Sequence, residues 1–154
     1  MSDFIFSGTT NWVMDSRYKK YSDKIISIFN EEPGHADVFV LCLVLGYKYN
    51  SKSEDFVNNG AEFRPSYFTK EQRNIISAIA YDIYGDRFIK ELNDKEFKLD
   101  FRNLCRKYYN GGMEILIEKV FKDNMKDEQF LNTYNDYDVD LLRFIIDELE
   151  GVPF

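Results

Sequence analysis

Between Ser16 and Phe29 the apolar side chains Tyr18, Tyr21, Ile25, Ile28 and Phe29 recur at steps of three and four. With 3.6 residues per turn, that spacing lays them along one face of a helix. Arg17, Lys19, Lys20 and Lys24 fall on the other face, and Pro33-Gly34 ends the segment. Val38 to Leu45 is then an unbroken apolar run, a pattern shared by buried strands and buried helices. Asp37 suits a helix N-terminus and Gly46 a C-terminal cap, so a helix is predicted within 35–50. Residues 50–65 are polar, with Asn58-Asn59-Gly60 as a turn signal, and read as a loop or short hairpin.

Thr69-x-x-Gln72 is a capping-box pattern, in which hydroxyl and amide satisfy backbone donors at a helix start. It opens an amphipathic helix with Ile75, Ile76, Ile79, Ala80 and Ile83 on one face, closed by Gly85. A short helix follows over 87–92. Another is predicted over 100–109, with Phe101, Leu104, Cys105 and Tyr108 inward and Arg102, Arg106 and Lys107 outward. Asn110-Gly111-Gly112 is expected to break it at a sharp turn, with a further helix over 113–121. A last helix runs from Asp138, an N-cap candidate, to Glu150, with Leu142, Ile145, Ile146 and Leu149 inward. Residues 1–15 hold Phe4, Phe6, Trp12 and Val13 without clear periodicity and read as an irregular arm, with room for one short strand. The expected architecture is all-α: a compact, single-domain bundle of about six helices with an arm (1–15), a body (16–122) and a C-terminal segment (123–154).

Composition supports one folded unit. Aromatics are 17% of 154 residues, ample for one core, since each buried ring removes about 150–250 Å2 from water. Charge is unevenly placed. The net of −7 belongs wholly to residues 123–154, where nine acidic residues face only Lys126 and Arg143; residues 1–122 are neutral overall. An acidic segment argues against a generic nucleic-acid binder but leaves the body open. Residues 1–12 lack a basic stretch followed by an apolar one, so no secretory signal is expected. The apolar run is far short of the roughly 20 residues that span a bilayer, so no membrane contact is expected and the location is read as cytoplasmic.

Candidate chemistry is sparse. His35 is the single histidine, read as a surface loop residue with no nucleophile nearby in sequence. Cys42 and Cys105 sit within apolar helical patterns and lack metal-knuckle or redox-pair spacing, so they read as small buried hydrophobes. Asp136, Asp138 and Asp140 alternate as in some Ca2+ loops, but the central Gly and closing Glu are missing. Gly111-Gly112 lacks the Lys-Ser/Thr of a phosphate loop. No cofactor, metal or catalytic residue is expected, and the reading is a non-enzyme. Two basic clusters remain, Arg17/Lys19/Lys20/Lys24 and Lys95/Lys98/Arg102/Arg106/Lys107, interleaved with Tyr18, Tyr21, Tyr108 and Tyr109. Ordinary solvated helix faces would explain them. If the clusters meet in space they could instead track a phosphate backbone, which makes Arg17, Lys19, Lys20, Lys24, Lys98, Arg102, Arg106 and Lys107 the candidate nucleic-acid contacts.

Five blocks in order carry a resemblance. They are Arg17-Tyr18-Lys19-Lys20-Tyr21, Asp37-Val38-Phe39 through Leu45-Gly46-Tyr47-Lys48, Gly60 with Glu62-Phe63-Arg64 and Phe68, Ile75 to Ala80, and Tyr109-Asn110-Gly111-Gly112-Met113 to Leu116. Together they resemble the small proteins associated with bacterial DNA phosphorothioation (Dnd) systems, and loosely DndE, the small helical component of phosphorothioate installation. The resemblance implies an accessory role in phage-defence DNA modification or restriction, beside other defence-system proteins such as ATPases and nucleases, with DNA contact through lysines. The acidic C-terminal segment and the aromatic arm lie outside it. The alternative reading is an acidic protein-interaction module, of inhibitor or immunity type, without DNA binding; an enzyme using scattered carboxylates is a third.

Overall fold

The computed structural model describes Phe6 and residues 10–150, and it is 66% helical. Trp12–Val13 forms strand β1, which a 3-10 turn at Ser16–Tyr18 joins to helix α1 (Lys19–Ile28). Helix α2 (His35–Lys48) follows, then strand β2 (Glu62–Phe63), antiparallel to β1 with Trp12 opposite Phe63. Next come α3 (Lys70–Tyr84), α4 (Asp86–Lys90) and α5 (Lys95–Leu116). The chain continues through a π-helical turn, Ile117–Phe121, into strands β3 (Met125–Lys126) and β4 (Gln129–Phe130). Asp127 and Glu128 link these strands with φ of 51° and 61°, the left-handed pair that a tight two-residue hairpin needs. Helix α6 (Tyr137–Glu150) closes the chain. The mostly helical, single-domain architecture is as expected, with six α-helices among the described residues.

Local chemistry explains the boundaries that were legible. Thr69 Oγ1 accepts from Gln72 N at 3.1 Å and Gln72 Oε1 accepts from Thr69 N at 2.9 Å, which completes the capping box. Gly85 ends α3 at φ 59° and ψ −134°, a region essentially closed to residues with a Cβ. Asp94 caps α5, its carboxylate accepting from Phe97 N at 2.9 Å, so this helix starts five residues before the expected one.

Helix α2 is the central element. Val38, Phe39, Val40, Cys42, Leu43 and Leu45 are all buried, because α1, α3, α5 and the β1–β2 pair surround it. Trp12 packs edge-on against Phe39 at 5.2 Å, and Phe39 stacks on Tyr109 at 5.5 Å. Of the N-terminal arm, Trp12 and Met14 are thus buried in the interior.

The expected break at Asn110-Gly111-Gly112 does not exist; α5 runs through all three residues. Glycine is present for distance, not flexibility. A Cβ on Gly112 would lie 1.7 Å from the Cys42 carbonyl oxygen, one on Gly111 2.0 Å from that of Ser51, and one on Gly46 2.0 Å from that of Tyr108. Helices α2 and α5 thus meet backbone to backbone along a seam.

Two other expected faces are corrected. On α6 the buried side is Tyr137 and Leu141, with Phe144 and Ile145 half-covered, while Leu142, Ile146 and Leu149 face solvent. Asp138 lies inside this helix instead of capping it. On α3, Ile76, Ile79 and Ala80 are buried but Ile75 is 41% exposed.

Candidate functional site

The segment between α2 and β2 gathers several of the candidate cations around one buried carboxylate. Asp15, fully buried, accepts from Arg17 N (2.9 Å), Nε (3.0 Å) and Nη2 (2.7 Å), from Val57 N (3.0 Å) and from Asn110 Nδ2 (3.0 Å). Burial alone would raise its pKa; the Arg17 pair and the backbone and Asn110 donors outweigh this and hold it below the usual carboxylate range. Above it, Arg17 Nη1 reaches Asp55 at 3.1 Å and Lys107 Nζ reaches Glu54 at 3.3 Å. The Arg106 guanidinium lies 3.7 Å from the centroid of Phe56 and donates to Asn58. The segment therefore bridges the two basic clusters and answers their charge with its own acids.

The other cations of the first cluster are also engaged. Lys19 pairs with Asp23 at 2.7 Å, Lys20 Nζ donates to the Glu128 carbonyl at 2.6 Å, and Lys24 lies over Tyr137 at 4.8 Å and Phe130 at 5.3 Å. In the second cluster, Arg102 and Arg106 are half-buried, not outward. Burial lowers the pKa of both, and for Arg106 repulsion from Arg102, one turn away, adds to it. Among the described residues only Arg17, Lys19 and Lys107 of the eight pair with carboxylates; Lys20, Lys24 and Arg106 meet a carbonyl, aromatic rings, and Phe56 with Asn58, while Lys98 and Arg102 have neither kind of contact. A cavity of about 540 Å3, whose lining includes Phe56, Asn58, Tyr84, Asp100, Arg106 and Lys107 but neither Lys98 nor Arg102, opens on the same helix.

His35 is the first residue of α2, not a loop residue. It is half-buried, and its Nδ1 lies 3.1 Å from Ser22 Oγ while its Nε2 is 3.9 Å from Asp23 Oδ1. Serine, histidine and aspartate therefore converge, which no local spacing foretold. Two features oppose nucleophilic use: Ser22 is 2% exposed inside α1, and the Asp23 carboxylate stands beyond hydrogen-bond reach. Burial lowers the His35 pKa, favouring the neutral ring. Cys42 and Cys105 are buried free thiols whose pKa burial pushes up, which makes them poor nucleophiles.

Asp136, Asp138 and Asp140 do not converge on a cation site. Asp140 accepts from the Tyr134 hydroxyl and Asp138 from the adjacent Val139 N, and no cluster of three ligand-type side chains occurs among the described residues.

An apolar row with no covering element among the described residues lies on α6. Val139, Leu142, Ile146 and Leu149 are 43, 47, 53 and 59% exposed, at steps of three, four and three along one face. The helix is held to the body from its opposite side. Glu148 accepts from Lys48 Nζ at 2.8 Å and from the Tyr49 hydroxyl at 2.6 Å, and Leu141 is fully buried. Between α2 and α6 a slot of about 180 Å3 is lined by Leu41, Val44, Leu45, Phe144, Ile145 and Leu149. No helix among the described residues is long and apolar enough to cross a membrane. Compared with protein-family models, with curated proteins and with solved structures, the chain matches none.

Proposed function

We propose that the chain is a non-catalytic binding protein that docks a partner protein through the exposed face of α6. The observation that carries this reading is the continuous stripe Val139–Leu142–Ile146–Leu149 on a helix whose other apolar side is already buried. Single exposed apolar residues need no explanation, but an aligned row of four on an ordered helix marks an interaction surface. A photo-crosslinking residue placed at position 146 in the native host is expected to give one discrete adduct, and the same residue at position 118 none. Absence of an adduct at 146 removes the reading. On the resemblance drawn above, the partner would be another protein of a phosphorothioation-type defence system.

A second reading has its own support: Lys98 and Arg102, one turn apart on α5 and without carboxylate partners among the described residues, would contact phosphates. That surface lies on a different helix from the docking stripe, so the two readings are separately testable.

A further inference from the structure

We infer, on the docking reading above, that α6 receives a cationic amphipathic helix of a partner protein, which seats one large apolar side chain in the slot between α2 and α6.

Shape specifies a helix. Steps of three, four and three are the seam spacing that helix pairs use, whereas an added strand would need alternation at period two. The slot specifies an anchor. At about 180 Å3 it is close to apolar cavities of about 150 Å3 that accept a benzene ring, so a branched or aromatic side chain fits. Leu149 belongs to both the stripe and the slot lining, so an anchor on the docked helix reaches the slot directly.

Charge specifies the sign. Helix α6 carries Asp138, Asp140, Asp147, Glu148 and Glu150 against Arg143 alone. Glu148 is used by Lys48 and Tyr49, and Asp140 by Tyr134. Asp138, Asp147 and Glu150 have no cationic partner among the described residues. By helical periodicity Asp138 borders one margin of the stripe, and Asp147 and Glu150 border the other with Arg143. A second copy of the chain would set this acidic row against itself, and a nucleic acid would be repelled. Lysine or arginine flanking an apolar seam complements both margins, as flanking charges select partners in paired helices.

The test uses the full chain and two synthetic peptides of about three heptads, leucine at the seam positions, with either lysine or glutamate flanking it. Fluorescence anisotropy is expected to show the lysine peptide binding about tenfold or more tightly than the glutamate peptide, with the difference shrinking as salt screens the flanks. Leu142→Glu and Ile146→Glu are each expected to weaken the lysine peptide about tenfold, as for residues central to an interface, with circular dichroism and melting unchanged. Asp147→Asn with Glu150→Gln should reduce the salt dependence, and Val44→Phe, which fills the slot, should weaken binding.

Equal binding of both peptides, lost in Ile146→Glu, overturns the cationic partner but leaves the docking face standing. Lysine-peptide binding that ignores Leu142→Glu and Ile146→Glu is general charge attraction and overturns the site, as does binding of neither peptide. A dimer in sedimentation that Ile146→Glu dissolves assigns the face to a second copy and overturns the proposal. Failure of the docking reading itself is read separately, from the missing adduct at position 146.

Discussion

Asn110 donates its side-chain amide to Asp15 at 3.0 Å across 95 positions of chain, and both residues are fully buried. The pair joins the N-terminal arm to the middle of α5, and Asp15 also fixes Arg17 and Val57. Asp15→Ala would leave the Val57 N–H and the Asn110 amide without their acceptor and Arg17 without its nearer carboxylate. The expected cost is about 3 kcal/mol, read as a lowered midpoint in chemical denaturation. Because the folded pKa of Asp15 is depressed, its contribution is present above the ordinary carboxylate pKa and is lost as pH falls through that range. Asp15→Ala should therefore flatten the acid limb of stability below about pH 4. An unchanged limb would assign acid sensitivity elsewhere.

The α2–α5 seam makes a sharper forecast. Gly112→Ala puts a methyl group against the Cys42 carbonyl, and backbone on backbone has no rotamer by which to relieve it. A loss of about 3 kcal/mol or more is expected, at the upper end of overpacking penalties. Gly34→Ala is the control, since the nearest atom to a Cβ there is the Asp37 carboxylate at 3.9 Å. Comparable melting of the two variants would show that the seam is looser than described.

His35 gives a pH signature near neutrality. Its folded pKa lies below the ordinary value, so the unfolded chain binds the proton more readily. Its contribution is complete above about pH 6.5 and declines as pH falls through and below that value. Thermal melts of His35→Gln from pH 7.5 to 5 should lose that part of the slope, with Ser22 retaining a polar neighbour.

The phosphate reading is tested where charge is free. Lys98→Glu with Arg102→Glu should weaken any binding of a DNA duplex at low salt and remove about two phosphates' worth of salt dependence, near 0.9 per phosphate in log–log slope. Lys19→Glu, whose ammonium already pairs with Asp23, should have little effect. Undetectable binding by the unmodified chain at low salt would discard this reading and leave α6 as the working surface.

What was legible in the sequence is what depends on near neighbours. Thr69 with Gln72 and the stop at Gly85 act within one turn, so their residue types reveal them. Gly111 and Gly112 carry the same residue type as a turn, but their role comes from Ser51 and Cys42, sixty and seventy positions away. Helix α6 is apolar on two sides, so periodicity finds stripes without saying which one α2 covers. The basic clusters were visible as charge, yet Asp55, Glu54, Asn58 and the Glu128 carbonyl, which absorb them, are reached only through the fold. His35 and Ser22 meet because the chain turns back between α1 and α2, and no fixed spacing encodes that approach.

The glycine seam also bears on how the two candidate surfaces relate. Many molecular switches work by sliding one helix past another by about 1–2 Å, with side chains repacking as it moves. At Gly46 and Gly112 the backbones of α2 and α5 touch directly, so a slide there has no side-chain rotamers to absorb it. Helix α2, against which α6 is held, and helix α5, which carries Lys98 and Arg102, are therefore expected to move as one body. Occupancy of one surface should leave affinity at the other unchanged, a coupling factor near one. On the binding readings proposed above, the two surfaces would then be related by fixed geometry and not by communication between them.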